Sequence, residues 1–180
     1  MAKGTKRFLS SIIAALFFIH GIDAYAADKK ENLSQIEALI ESSKETKGVN
    51  VEKIEGFTLK LAKPFMKKTP MAAIMNDLDR MIMFSMEDTS AQDDSLFVDK
   101  AEKILKDYFK ITETRKDDSL TSIYIDISPE ENTFSEMVMY ITKPGIALMI
   151  FKGSFTLESL KKMGELSQQM EKKENTMESK

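Results

Sequence analysis

Residues 119–152, SLTSIYIDISPEENTFSEMVMYITKPGIALMIFK, decide the fold. Ile123, Ile125 and Ile127 fall on one side of an extended chain. Ser122, Tyr124 and Asp126 fall on the other, the period of two that a strand imposes. Pro129 to Asn132 turns the chain, and Phe134 to Thr142 is a second extended run. Lys143-Pro144-Gly145 is a tight turn in which glycine supplies the positive φ. Ile146 to Lys152 is a third run, and just upstream ITETRK (111–116) with Asp117-Asp118-Ser119 reads as the first half of a hairpin. Four successive strands with short connections predict an antiparallel meander. Their alternation predicts one buried face.

Outward from the meander the period changes. Thr156 is placed to cap a last helix carrying Leu157, Leu160, Met163 and Met170. On the other side, Leu96, Phe97, Ala101, Ile104, Leu105 and Tyr108 recur at helical spacing, with Asp93 or Asp94 as the expected N-cap. RMIMFSM (80–86) is apolar without a period and reads as a buried strand. VEKIEGFTLKLAKPFM (51–66) fits both periods: Phe57, Leu59 and Leu61 alternate, while Ile54, Phe57, Leu61, Ala62 and Phe65 share a helical face. A helix is the expectation there, ended or kinked by Pro64. Ser34-Gln35-Ile36-Glu37 is a capping box opening a helix to about residue 46, stopped near Gly48. The expected fold class is α+β in two layers. A mostly antiparallel sheet, the four-strand C-terminal meander plus one earlier strand, carries helices packed on one face.

The N-terminus reads as a secretory signal. Lys3, Lys6 and Arg7 form a positive region, Phe8 to Ile19 an apolar one, and Ala24-Tyr25-Ala26 the small residues that place cleavage after Ala26. The apolar run is too short to span a bilayer and is followed by His20 and Asp23. The expected organisation is a signal at 1–26, a flexible lead at 27–33, one domain at 34–170 and a disordered tail at 171–180. Removing the signal takes the single His20, and the 180-residue chain has no cysteine. Histidine base catalysis, cysteine nucleophiles, disulfides and metal sites built on His or Cys are thereby excluded from the mature chain. The whole chain has 26 basic and 29 acidic residues, a balance that argues against nucleic acid as partner. The small basic cluster Lys60, Lys63, Lys67 and Lys68 reads as a solvated helix end.

The order of these elements resembles the domain of unknown function 4252 family, small exported proteins of Bacteroidetes. The resemblance runs from about residue 34 to 168. It is carried by GVNVEKIEGFTLKLAK, by RMIMFSMED, by the amphipathic helix after it, and by GIALMIFKGSFTLESLKKM. It implies a location in the periplasm or at the outer membrane and a small α+β fold, and it brings no activity and no catalytic residues. It also implies meaning for two short matches, Asp94-Ser95-Leu96 and Asp118-Ser119-Leu120, which fit the Asp-Ser-apolar pattern that such bacteria O-glycosylate. Ser95 and Ser119 are therefore candidate modification sites.

Other candidate chemistry is sparse. Met81 and Met83 share a strand face, as do Met137 and Met139, and thioether sulfur is a soft ligand suited to Cu(I). Methionine equally fills irregular cores. The run Glu87 to Asp94 is oxygen-rich but lacks the order and glycine of a calcium loop. Asp126 and Glu136 are carboxylates on otherwise apolar strands, worth testing for burial. Ser43-Lys44 and Ser159 with Lys161 and Lys162 lack the context of a serine nucleophile. No catalytic constellation and no cofactor emerges. The first expectation is a non-enzymatic binding or interaction module of the cell envelope, with another envelope protein or an apolar ligand as partner and no transmembrane anchor after signal removal. The alternatives are a methionine-based carrier of a small ligand or Cu(I), and a carboxylate-dependent hydrolase.

Overall fold

The computed structural model describes residues 33–66, 69–116, 119–127, 132–142 and 145–166. The expected signal and its cleavage site, Met170 and the expected tail lie outside them. The elements are helix α1 (Gln35–Ser43), strand β1 (Val49–Glu55), helix α2 (Gly56–Met66) and a 3-10 turn (Pro70–Ala73). Strand β2 (Leu78–Met86) and helix α3 (Ala91–Leu105) follow, then β3 (Phe109–Lys116), β4 (Ser119–Ile127), β5 (Thr133–Thr142) and β6 (Ile146–Thr156). Residues 157–166 form a closing helix, α4. The six strands make one open sheet in the order β1-β2-β6-β5-β4-β3, with every neighbouring pair antiparallel. The fold is α+β, with the predicted meander intact as β3 to β6.

Each expected helix forms for a local reason. Ser34 accepts the Glu37 amide at 3.4 Å while the Glu37 carboxylate accepts the Ser34 amide at 2.9 Å, completing the capping box. The cap of α3 is Ser90 rather than Asp93 or Asp94, with Ser90 Oγ accepting the Asp93 amide at 3.1 Å. The helix therefore starts three residues earlier, and its acids occupy the first turn, where the helix dipole favours them. At α4, Thr156 and Ser159 cap reciprocally, each side-chain oxygen accepting the other's amide at 3.1 Å.

The segment 51–66 departs from the expectation of a helix. Residues 49–55 are a strand and only 56–66 are helical. Gly56, at φ +55°, makes the junction, a conformation that glycine enters at little cost. Pro64 lies inside the helix and does not end it. The buried stripe of α2 is Leu59, Ala62 and Met66, while Phe57 and Leu61 face outward at 69% and 44% exposure.

α1 and α3 pack on one face of the sheet, which we call the helical face. Ile36, Leu39 and Ile40 of α1 and Phe97, Ala101 and Leu105 of α3 meet Ile82, Phe84 and Met86 of β2, Val138 and Tyr140 of β5, and Ile146, Leu148 and Ile150 of β6. Phe84 and Phe97 stack with ring centroids 4.5 Å apart. On the opposite face Ile141, toward the far end of β5, is buried at 6% exposure, and the other end is closed by a full row. There Ile54, Met81, Phe151, Met137 and Ile125, one cross-strand row, are all buried, and α2 packs on β1 and β2. No helix among the described residues is long and apolar enough to cross a membrane.

Candidate functional site

Three places gather side chains that the hydrophobic core does not explain. The first lies at one end of the helical face, beneath α1. Arg80, Lys152 and Glu136 are cross-strand partners on β2, β6 and β5, so their side chains form a row. This row continues the apolar row Ile82, Ile150 and Val138. Two adjacent cations would repel, but Glu37 comes down from α1 across both. Arg80 donates to Glu37 Oε1 at 2.7 Å and Lys152 donates to Oε2 at 2.7 Å. Lys152 also stands 3.1 Å from Glu136 Oε2, an ion pair without an aligned hydrogen bond. Tyr108 donates to Glu136 Oε1 at 2.5 Å. Glu37 and Glu136 side chains are 2% and 1% exposed, so the charges balance inside the protein. Burial works to raise the Glu37 carboxyl, but the Lys152 hydrogen bond, the Ser34 amide and the charges of Lys152 and Arg80 outweigh it and hold it below the usual carboxylate range. Burial likewise opposes charge on Lys152, and the two carboxylates overcome it, leaving its pKa raised. Burial and the Glu136 contact push the Tyr108 phenol up.

Asp126, the other carboxylate marked by the sequence, adjoins this network. Sheet register shifts between Ile125 and Ile127 on β4 and between Phe134 and Glu136 on β5. Asp126 fills the irregularity. Its Oδ1 accepts the Ser135 amide at 3.1 Å and the Glu136 amide at 2.6 Å, and its Oδ2 accepts the Ser135 hydroxyl at 2.7 Å. The sequence thus marked two carboxylates that the fold brings together, but their oxygens are engaged. Asp126 pins a bulge, and Glu136 anchors Tyr108 and Lys152. A general acid and base need freedom to meet a substrate, and this pair is committed to holding strands and a helix.

The second place is the middle of the other face. Met83, Met149 and Met139 are cross-strand partners on β2, β6 and β5, and all three are half-buried. Met81 and Met137, one row away, are core residues at 1% and 0% exposure. The four methionines expected to pair along strands thus divide by row across strands, and Met149 joins the half-buried row. The sequence spacing alone could not show this, because Met149 enters through the register of β6.

The third place is the outer side of α2. Phe57, Lys60, Leu61 and Pro64, spaced i, i+3, i+4 and i+7, are all exposed. Lys63 is half-buried beside them, while Lys67 and Lys68 lie outside the described residues. The remaining expectations fall on structural roles. Along Glu87–Asp94, Thr89 donates to Asp94, and Ser90 both caps α3 and donates to Asp93 Oδ2 at 2.6 Å. Among the described residues no group of three His, Cys, Asp or Glu is placed to hold a metal. Ser43 donates to the Leu39 carbonyl, and Ser159 caps α4. Ser95 is exposed in the second turn of α3, and Ser119 is half-buried at the start of β4.

The family model for a domain of unknown function, DUF4252, matches residues 40–163. No curated protein and no solved structure matches the chain.

Proposed function

The chain belongs to the DUF4252 family, and on that footing we propose that it is a non-enzymatic interaction module exported to the cell envelope, binding a partner protein through the outer face of α2. One observation carries this. Phe57 is 69% and Leu61 44% exposed, one helical turn apart, on a helix whose other stripe already fills the core. A helix needs only one apolar stripe to fold. A second, water-facing stripe gains nothing for the monomer and suits a groove on a partner, read at i, i+3, i+4 and i+7. Lys60 and Lys63 favour a partner whose groove has an acidic rim. The signal-like N-terminus supports export, with cleavage after Ala26. Exposed Ser95 and Ser119 at the start of β4 fit modification in that compartment.

The test is a Phe57→Ser/Leu61→Ser double variant expressed in the native host. The expected result is an unfolding free energy within about 0.5 kcal/mol of the parent, as for surface changes generally, with loss of the high-molecular-weight complex on native gels of the envelope fraction. A complex that survives the double change would overturn the assignment of this surface.

A further inference from the structure

We propose that Met83, Met149 and Met139 form a thioether site for Cu(I). The inference rests on the half-buried methionine row of the sheet and not on the α2 surface, so either can fail alone. The three residues occupy neighbouring strands in one register row, so Met149 has a methionine on each side at about one strand spacing, roughly 4.8 Å. Methionine has three rotatable bonds beyond its Cα, enough for the outer two sulfurs to lean over the central one and close a three-sulfur site. Thioether sulfur is neutral, carries no proton to displace and is soft, the combination that selects Cu(I) over hard cations, which take oxygen.

Packing does not account for the row. Met81 and Met137 already fill the buried row beside it, at 1% and 0% exposure. A half-open strand position is better served by Val, Ile or Thr, whose branched side chains suit a pleated surface. Here the three central strands all carry methionine. Charge favours a cation as well. Glu52 of β1 is the cross-strand partner of Met83 and continues the row on the same face, half-buried. It places a carboxylate at one end of the sulfur site, while Ile123 closes the other end.

The purified chain would be titrated with Cu(I) under anaerobic conditions against a chromophoric Cu(I) chelator. Ag(I) would serve in parallel as a redox-inert probe in native mass spectrometry. One ion per chain is expected. Met149→Leu should weaken retention at least tenfold, and the Met83→Leu/Met139→Leu/Met149→Leu triple variant should abolish it. Met81→Leu/Met137→Leu should retain it. Leucine keeps the volume of methionine, so the triple variant is expected to fold, with its thermal midpoint as the check. Independently, methyl-labelled methionine NMR on the unaltered chain should show Ag(I) moving the Met83, Met139 and Met149 signals and leaving Met81 and Met137 in place. Affinity should be flat between pH 5 and pH 8, because thioethers do not titrate. Failure of the parent chain to retain an ion, wild-type retention by the triple variant, or shifts confined to other methionines would each overturn the proposal.

Discussion

Lys152 stands between two buried carboxylates, and that position defines what single residues do here. Removing one partner from a buried ion pair leaves an uncompensated charge, which costs about 3–5 kcal/mol. Lys152→Met should therefore destabilise the protein by about that amount in urea unfolding at pH 7. A double change that also converts Glu37 to Gln should recover part of the loss. Glu37 contributes a pH dependence of known sign. Its carboxyl titrates lower in the folded than in the unfolded chain, so its stabilisation is fully present above the unfolded value of about 4.3 and is lost as pH falls through the depressed folded value. Urea midpoints measured from pH 7 down to pH 3 should decline in acid, and Glu37→Gln should flatten that decline. A variant with an unchanged acid limb would remove Glu37 from the network. Part of this network could be read in the sequence. Ser34 and Glu37 announce a capping box, and Asp126 and Glu136 stand out on apolar strands. The link to Arg80 and Lys152 could not, because it depends on β6 lying between β2 and β5, a register that pairs Arg80 with Lys152 across 72 residues of sequence.

At the scale of elements, the junctions decide more than the propensities. Gly48 joins α1 to β1 at φ +85°, and a Cβ there would sit 2.1 Å from the Glu87 carbonyl oxygen. Its own carbonyl accepts the Glu87 amide at 2.8 Å, tying the start of β1 to the end of β2. Gly48→Ala should cost at least about 1–3 kcal/mol, since both the dihedral and the close approach are lost. Thermal denaturation would show it, and a midpoint within a degree of the parent would contradict it. The sequence set the stop of α1 near Gly48, whereas the helix ends at Ser43 and Gly48 instead turns the chain into β1. The strand that follows was not legible, because VNVEKIE leaves only Ile54 fully buried at the edge of the sheet and so shows little alternation. The face of α2 was misjudged for a related reason. Helical spacing put Phe57, Leu61 and Ala62 on one face with Ile54, but Ile54 belongs to β1, and the helix that starts at Gly56 buries Leu59, Ala62 and Met66.

Across the whole molecule, the last strand completes the sheet begun by the first two. β6 pairs with β2 on one side and β5 on the other, so it joins the β1–β2 pair to the rest of the meander, with α1 and α3 packed across the strands on both sides of it. Phe151, at 2% exposure, sits where these parts meet. Phe151→Ala should cost about 3–5 kcal/mol, as a single cooperative loss visible by both circular dichroism and fluorescence. The meander was legible because turn residues and a period of two agree over residues 119–152. The strand order was not, since local pattern says nothing about which edge receives β2.

At this scale the buried charges tie α1 to the sheet, and the proposed function assigns the exposed stripe of α2 to a partner. The most direct measurement is photocrosslinking in the living host, with a photoreactive residue placed at position 57 or 61 and, as control, at position 103 on the outer side of α3. A discrete adduct at 57 and 61 that is absent at 103 is the predicted result. No adduct at 57 and 61, or equal adducts at all three positions, would contradict the assignment.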